Sequence, residues 1–454
     1  MILRRVLIAN RGEIAVRIIR TCRRLGIETF LAASDADVDS VPARMADRTV
    51  RIGPAHPSQS YLSIEAVVNA ARAVHADAIH PGYGFLSENA RLARRCHDTA
   101  IVFIGPTAQQ LESVGDKLTA RRLAVEAGLP VIPGGPIDSA EQAQALATRI
   151  GWPVLIKSVG GGGGRGMKQV HAPEQLAESF ELARAEAHAA FGDARLYLER
   201  LVQSGRHVEV QLLGDGHDVI HLGDRDCSIQ RRYQKLIEEA PAPLVPPKLR
   251  DAMQAAAVRF GRHLEYRGLG TVEFLLDPAR QEFYFLEMNA RIQVEHPVTE
   301  AITGLDLVAE QIAVAEEQPL RLKQADVRLT GHAIECRINA EDISRDFRPS
   351  PGQVLSACFP AGSDIRVDTH IEAGSSVPPF YDSLLSKVIA SGADRDASLA
   401  HMRTALAAYD LQGVATNVAL HATLLEQPAV THGGVDTGYL PRFLQSSFPL
   451  ASSR

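Results

Sequence analysis

Over residues 1–114, short apolar runs alternate with stretches of helical period, which predicts repeated β–α units and a doubly wound parallel sheet. Val6–Asn10 reads as a buried strand and Arg11-Gly12 as a turn, with Ile14, Ile18, Cys22 and Leu25 marking one helix face. Thr29–Ser34 and Ile101–Ile104 read as further strands, and Ser63–Val74 as a helix. Residues 115–203 change rhythm: helices over Arg121–Ala127, Glu141–Ile150 and Glu174–Ala190, Pro-rich punctuation from Pro130 to Pro136, and a strand Leu196–Glu199 predict compact α+β. Beyond Arg206 the alternation becomes antiparallel, His207–Leu213 and Val219–Leu222 flanking a turn at Asp215-Gly216. Thr271–Leu276 and Glu282–Asn289 are apolar on both faces and are expected deep in the sheet. The remainder opens with a strand, His332–Asn339, and closes near a helix, Ala397–Tyr409. The expected division is 1–114, 115–203, 204–330 and 331–446.

Inside the second unit, Val154–Val159 leads into five glycines, Gly160 to Gly164, and Met167–Val170 leads out. Strand, glycine loop, strand is the expectation, with Lys157 in the entering strand. Lacking Cβ atoms, such a loop can lay backbone N–H groups against a phosphate chain. A P-loop is excluded because Arg165-Gly166-Met167 replaces the Gly-Lys-Ser/Thr ending and a strand follows; a Rossmann turn likewise requires a helix there. Asp224 to Lys235 is dense in charge and reads as either a solvated face or an anion pocket. On the two apolar strands, Glu287 and Asn289 share a face, and Glu273 can meet them from the neighbouring strand. Two carboxylates and an amide oxygen on a buried sheet suggest an oxygen-preferring cation, Mg²⁺ or Mn²⁺, or else an internally paired Glu–Arg cluster. Arg291 and Glu295 fall in the turn that follows. Arg337 shares a strand face with Glu335 and Asn339, opposite Ile334 and Ile338. His80, in the loop sequence His80–Asn89, is expected to be structural.

Composition narrows the class. A net charge of −6 argues against a nucleic-acid partner, and no apolar run is long enough to span a membrane. The N-terminus lacks a signal-peptide layout. Five scattered cysteines suggest neither a disulfide framework nor a zinc site and fit a cytoplasmic location. With only 7 Lys against 41 Arg, the placement of Lys117, Lys157 and Lys235 in motif-like stretches stands out, because a compact ammonium suits a single phosphate or carbonate oxygen.

These stretches together closely resemble the biotin carboxylase family of ATP-grasp ligases. The resemblance is carried by Ile8–Ala15 (IANRGEIA), 80–89 (HPGYGFLSEN), 160–167 (GGGGGRGM), 225–232 (RDCSIQRR), 238–243 (EEAPAP), 287–300 (EMNARIQVEHPVTE) and 335–342 (ECRINAED), spread over nearly the whole chain. It implies an ATP-grasp fold, α/β and α+β, with a Rossmann-like N-terminal domain, a mobile lid, a body holding the metal and bicarbonate sites, and a C-terminal α+β domain. Lys117, Lys157 and His207 would contact ATP, Gly163 and Gly164 would close over its phosphates, and Glu199, Arg200, Leu201 and Val202 would line the adenine. Glu273, Glu287 and Asn289 would hold Mg²⁺ or Mn²⁺. Lys235, Arg291 and Val294 would bind bicarbonate, Glu295 would be its base, and Arg337 would face biotin. The family usually has His where this chain has Tyr233, which cannot carry a positive charge near pH 7. Met167-Lys168 directly follows the glycine loop and is no biotin-attachment site, so biotin is expected on a separate carrier protein, with a carboxyltransferase alongside and this chain as a homodimer. Another bicarbonate-using ATP-grasp ligase and a non-catalytic nucleotide sensor are the alternatives.

Overall fold

The computed structural model describes residues 2–160 and 166–447. The N-terminal part builds a five-stranded parallel sheet from β1 (Arg5–Ile8), β2 (Glu28–Ser34), β3 (Arg48–Gly53), β4 (Ala78–His80) and β5 (Val102–Phe103), in the order β3-β2-β1-β4-β5. Gly12, at φ +67° in the left-handed region, lets the chain turn directly from β1 into helix α1 (Gly12–Arg24). Ile14, Ile18 and Cys22 then pack against β1, as their spacing predicts, whereas Leu25, expected on the same face, is exposed where the helix ends.

The lid is a four-stranded antiparallel sheet of β6 (Gly134–Ile137), β7 (Val154–Ser158), β8 (Met167–Val170) and β9 (Leu196–Arg200), ordered β6-β9-β7-β8. β7 and β8 form the expected hairpin, Lys157 opposite Met167. Gly163 and Gly164 lie outside the described residues. Helices Ala140–Ile150 and Leu176–Phe191 cover this sheet, and Phe180, Leu146, Val154, Ile156 and Leu198 give it a core of its own.

Below the lid runs an eight-stranded antiparallel sheet. Its strands are β10 (Arg206–Asp215), β11 (Val219–Arg231), β12 (Gln234–Ala240), β13 (Arg267–Asp277), β14 (Glu282–Asn289) and β15 (His332–Asn339), joined by Leu384–Gly392 and Ile365–Thr369. Because β12 pairs with β15, the sheet continues across residue 330 into the C-terminal part. Val208, Val210 and Leu212 pack into the cluster that includes Phe260 from helix Pro247–His263. The two-residue period of the strand therefore turns His207, Glu209 and Gln211 to the other face.

Two expectations are corrected. Asp224 to Lys235 is not a single solvated face: β11 runs unbroken to Arg231, Asp224, Arg225, Asp226, Ser228 and Gln230 are buried, and Gln230 and Lys235 line the cleft described below. Mutual pairing makes this possible, since Arg225, fully buried, donates to Glu209, Gln211, Thr271 and Thr299. β14, expected deep in the sheet, is its edge strand. Its free edge is met instead by the segment at Pro130-Val131, where Phe285 N–H donates to the Pro130 carbonyl at 2.8 Å.

Candidate active site

Lid, sheet and N-terminal part enclose a cleft of about 1050 Å³, at the upper end of the ~300–1,000 Å³ usual for ligand pockets. Lys117, Lys157, Glu199, Arg200, Leu201, Val202, His207, Lys235, Glu273, Glu287, Asn289, Arg291, Val294 and Arg337 all line it, as does Tyr233. Residues singled out from separate stretches along the chain thus meet in one place. Lys117 opens the helix Lys117–Glu126 at one wall. Lys157, near the end of β7, forms an ion pair with Glu199 of β9, which pairs with β7. The Arg200 guanidinium donates to the Tyr284 hydroxyl at 2.5 Å, and Leu201 N–H donates to the Pro153 carbonyl, so this connecting segment is held from both sides.

On the floor, Glu273 and Glu287 sit directly opposite each other in the β13–β14 register. Asn289 donates to Glu273 at 3.0 Å. Glu287 faces the open cleft; partial desolvation there, with the Glu273 charge adding to it, raises its carboxyl above the usual range. Two carboxylates and an amide side chain converging on one floor fit a hard divalent cation. Glu273 is also paired within the protein, though with Lys235 at 3.0 Å and His207 at 3.1 Å and not with an arginine. Those cations outweigh burial and hold Glu273 far below the normal carboxylate range.

Beside this group lies a nest of cations. Lys235 contacts Glu209 at 2.6 Å, Glu273 at 3.0 Å and Glu295 at 2.7 Å. Burial disfavours its ammonium, but these carboxylates keep it charged well past its usual range. Arg291 donates to Asn289 and Gln293, each at 2.9 Å, and contacts Glu88 at 2.9 Å. The Val294 carbonyl accepts from Lys387 at 2.8 Å. Arg337 donates to Glu295 at 2.8 Å. Glu295 itself is fully buried one layer beneath the cleft, reached through Lys235 and Arg337. Despite burial, those two cations and Arg225 hold its carboxyl well below its usual value. Tyr233 occupies the β11–β12 turn at φ +66°, more than half exposed. His80 is fully buried with Nδ1 accepting from Gly82 N–H, in keeping with a structural role.

Sequence reading missed Glu209, which bridges Lys235 and Arg225. Its signal was present in His207-Val208-Glu209-Val210-Gln211, where polar residues alternate with apolar ones. It also missed Glu88, Glu238 and Lys387, which hold Arg291, Arg337 and the Val294 carbonyl from distant segments.

A small lid bearing a lysine above a charged antiparallel floor defines the ATP-grasp class of nucleotide-using ligases. Family models match in three stretches: "Biotin carboxylase, N-terminal domain" over 2–111, "Carbamoyl-phosphate synthase L chain, ATP binding domain" over 116–323, and "Biotin carboxylase C-terminal domain" over 335–442. The biotin carboxylase of Pseudomonas aeruginosa is 50% identical over 446 residues, covering 97% of this chain and 99% of that protein. Biotin carboxylase 1 of Bacillus subtilis is 47% identical, with coverage of 97% and 99%. Among solved structures, the biotin carboxylase–βγ-ATP complex of Campylobacter jejuni superposes with a TM-score of 0.93 at 44% identity, covering 97% of this chain and 99% of that one. The biotin carboxylase domain dimer of Hydrogenobacter thermophilus 2-oxoglutarate carboxylase, with MgADP, ADP and bicarbonate, gives 0.92 at 42% identity, with 98% coverage of each. The chain belongs to the biotin carboxylase family. Among the described residues no helix is long and apolar enough to cross a membrane.

Proposed function

We propose that the protein carboxylates biotin borne on a partner: ATP and bicarbonate give ADP and carboxyphosphate, and the latter delivers CO₂ to biotin. The observation that carries this reading is the convergence, in one cleft, of Glu273, Glu287 and Asn289 with the Lys235–Arg291–Arg337 cation nest. Glu273, Glu287 and Asn289 would hold a divalent cation, which when bound would neutralise phosphate charge. Lys117, Lys157 and His207 would hold the triphosphate and Glu199 to Val202 the adenine, with Gly163 and Gly164 closing above. Lys235, Arg291 and the Val294 backbone would seat bicarbonate, and Glu295 would take its proton. The carbonate oxygen then attacks the γ-phosphoryl group, while Lys157 and the cations of the floor meet the spreading charge. Lid closure keeps water from carboxyphosphate. The phosphate released with CO₂ takes the ureido N–H proton of biotin, and Arg337 stabilises the resulting oxyanion.

The reading extends to a separate biotin carboxyl carrier protein, a carboxyltransferase, assembly of this chain as a homodimer, action in the cytoplasm, and the division at 114, 203 and 330. ADP release measured with purified protein, Mg²⁺ and free biotin tests it. Release that requires both bicarbonate and biotin is expected. Release that ignores biotin but responds to ammonia would assign the site to a carbamoyl-phosphate-forming reaction instead.

A further inference from the structure

In this arrangement the residue assigned as base is locked. Glu295 has one oxygen against Lys235 at 2.7 Å and the other against Arg337 at 2.8 Å, and it is sealed from solvent. A carboxylate so held is a poor proton acceptor. Arg337 has to let go before Glu295 can act, and a guanidinium displaced inside a protein needs another carboxylate.

Glu238 is placed to supply it. Fully buried on β12, it has Oε1 2.6 Å from Arg337 Nε. That contact is an ion pair without an aligned hydrogen bond: both Glu238 oxygens and Arg337 Nε complete none among the described residues. Arg337 thus makes one hydrogen bond to Glu295 and a short but unaligned contact to Glu238, an imbalance that a small rotation of the guanidinium reverses. Directly across the β12–β15 register stands Glu335, also fully buried, with neither oxygen hydrogen-bonded. Burial, with Glu238 adding to it, pushes the Glu335 carboxyl well above its usual range.

We propose that Glu238 is a positioning residue for carboxylation: it receives Arg337 when Arg337 releases Glu295, so that the base is freed only as the guanidinium turns to biotin. This rests on the functional reading above and adds an order of events to it. Arrival of biotin's ureido oxygen at Arg337 and unlocking of Glu295 become a single movement, which prevents carboxyphosphate from forming when no acceptor is present.

The test uses the full chain, free biotin and Glu238→Gln, which keeps the shape and removes the charge. Loss of a charge-assisted contact in the re-seated state should raise KM for biotin by about 10–100-fold, with KM for ATP within about twofold and the melting temperature little changed. Glu238→Asp, which restores the charge on a shorter arm, should recover part of the loss. Equal rises in all KM values, or no rise for biotin, would overturn the proposal. If Glu238→Gln does not fold, Glu238→Asp decides: its shorter arm should raise KM for biotin several-fold with KM for ATP within about twofold, and an unchanged KM for biotin refutes the coupling. A wild-type protein whose ADP release ignores biotin would refute the functional reading itself, and this proposal with it.

Discussion

Replacing Glu295 by Gln separates chemistry from architecture, because the structure allows both consequences to be sized. Glu295 accepts one hydrogen bond from Lys235 and one from Arg337 and has no exposure to solvent. Gln retains one acceptor oxygen and turns an N–H₂ group toward a cation, so one charge-assisted hydrogen bond is lost, about 1.5–3 kcal/mol. The full penalty of about 3–5 kcal/mol for stranding a buried charge does not apply. Lys235 keeps Glu209 and Glu273, and Arg337 keeps Glu238. The expected stability loss is therefore about 2 kcal/mol, a shift of a few degrees in melting temperature. Removal of a general base costs about 10²–10⁴ in rate. Biotin-dependent ADP release should fall by that factor, with nucleotide affinity, followed by fluorescence titration, within about twofold. A fall of less than tenfold would exclude Glu295 as the base. An equal loss of nucleotide affinity would show that the substitution had disordered the cleft.

Three further outcomes follow. Arg337→Ala should lower biotin carboxylation by about 10²–10³ and leave nucleotide binding intact; comparable loss of ATP affinity would contradict its assignment. Phe180 is almost wholly buried in the lid's separate core, so Phe180→Ala should destabilise the lid by about 3–5 kcal/mol. Hydrogen exchange should then rise in residues 131–203 with the eight-stranded sheet still protected, and a uniform rise would contradict the lid's independence. Burial depresses His80 and His370 to about 3 and His421 to about 4. The unfolded chain takes up these protons first, so stability is full above about pH 6.5 and falls as pH drops toward 4, each histidine removing about 1.4 kcal/mol per pH unit; urea midpoints that stay flat from pH 6.5 to 4.5 would refute this.

What could be read from sequence follows a physical division. Glu273, Glu287 and Asn289 were legible because strand period alone fixes which residues share a face, and the β13–β14 register then sets Glu273 opposite Glu287. The β7–β8 hairpin was legible because apolar runs bracket its glycines. The course of β11 was not, since Asp224, Arg225 and Asp226 satisfy the rule that charge seeks water until their partners are known. Arg225 is buried only because Glu209, Gln211, Thr271 and Thr299 arrive from three other segments. β14 was misplaced for the converse reason: an edge strand reads as interior when a non-strand segment such as Pro130-Val131 meets its free edge.

The same division explains how the chemical end of the cleft is assembled. Arg291 is braced by Glu88 from the loop after β4. Lys387, fully buried in the C-terminal part, joins Glu13 of α1 at 3.2 Å to the Val294 carbonyl at 2.8 Å. The backbone that would meet bicarbonate is thus fixed by an ammonium from one end of the chain, which is itself neutralised by a carboxylate from the other. Neither Lys387 nor Glu13 is stable in that environment alone, because an unpaired buried charge is far costlier than a paired one. Docking of the N-terminal sheet onto the long antiparallel sheet and completion of the site are consequently one event. The lid, by contrast, has a core of its own.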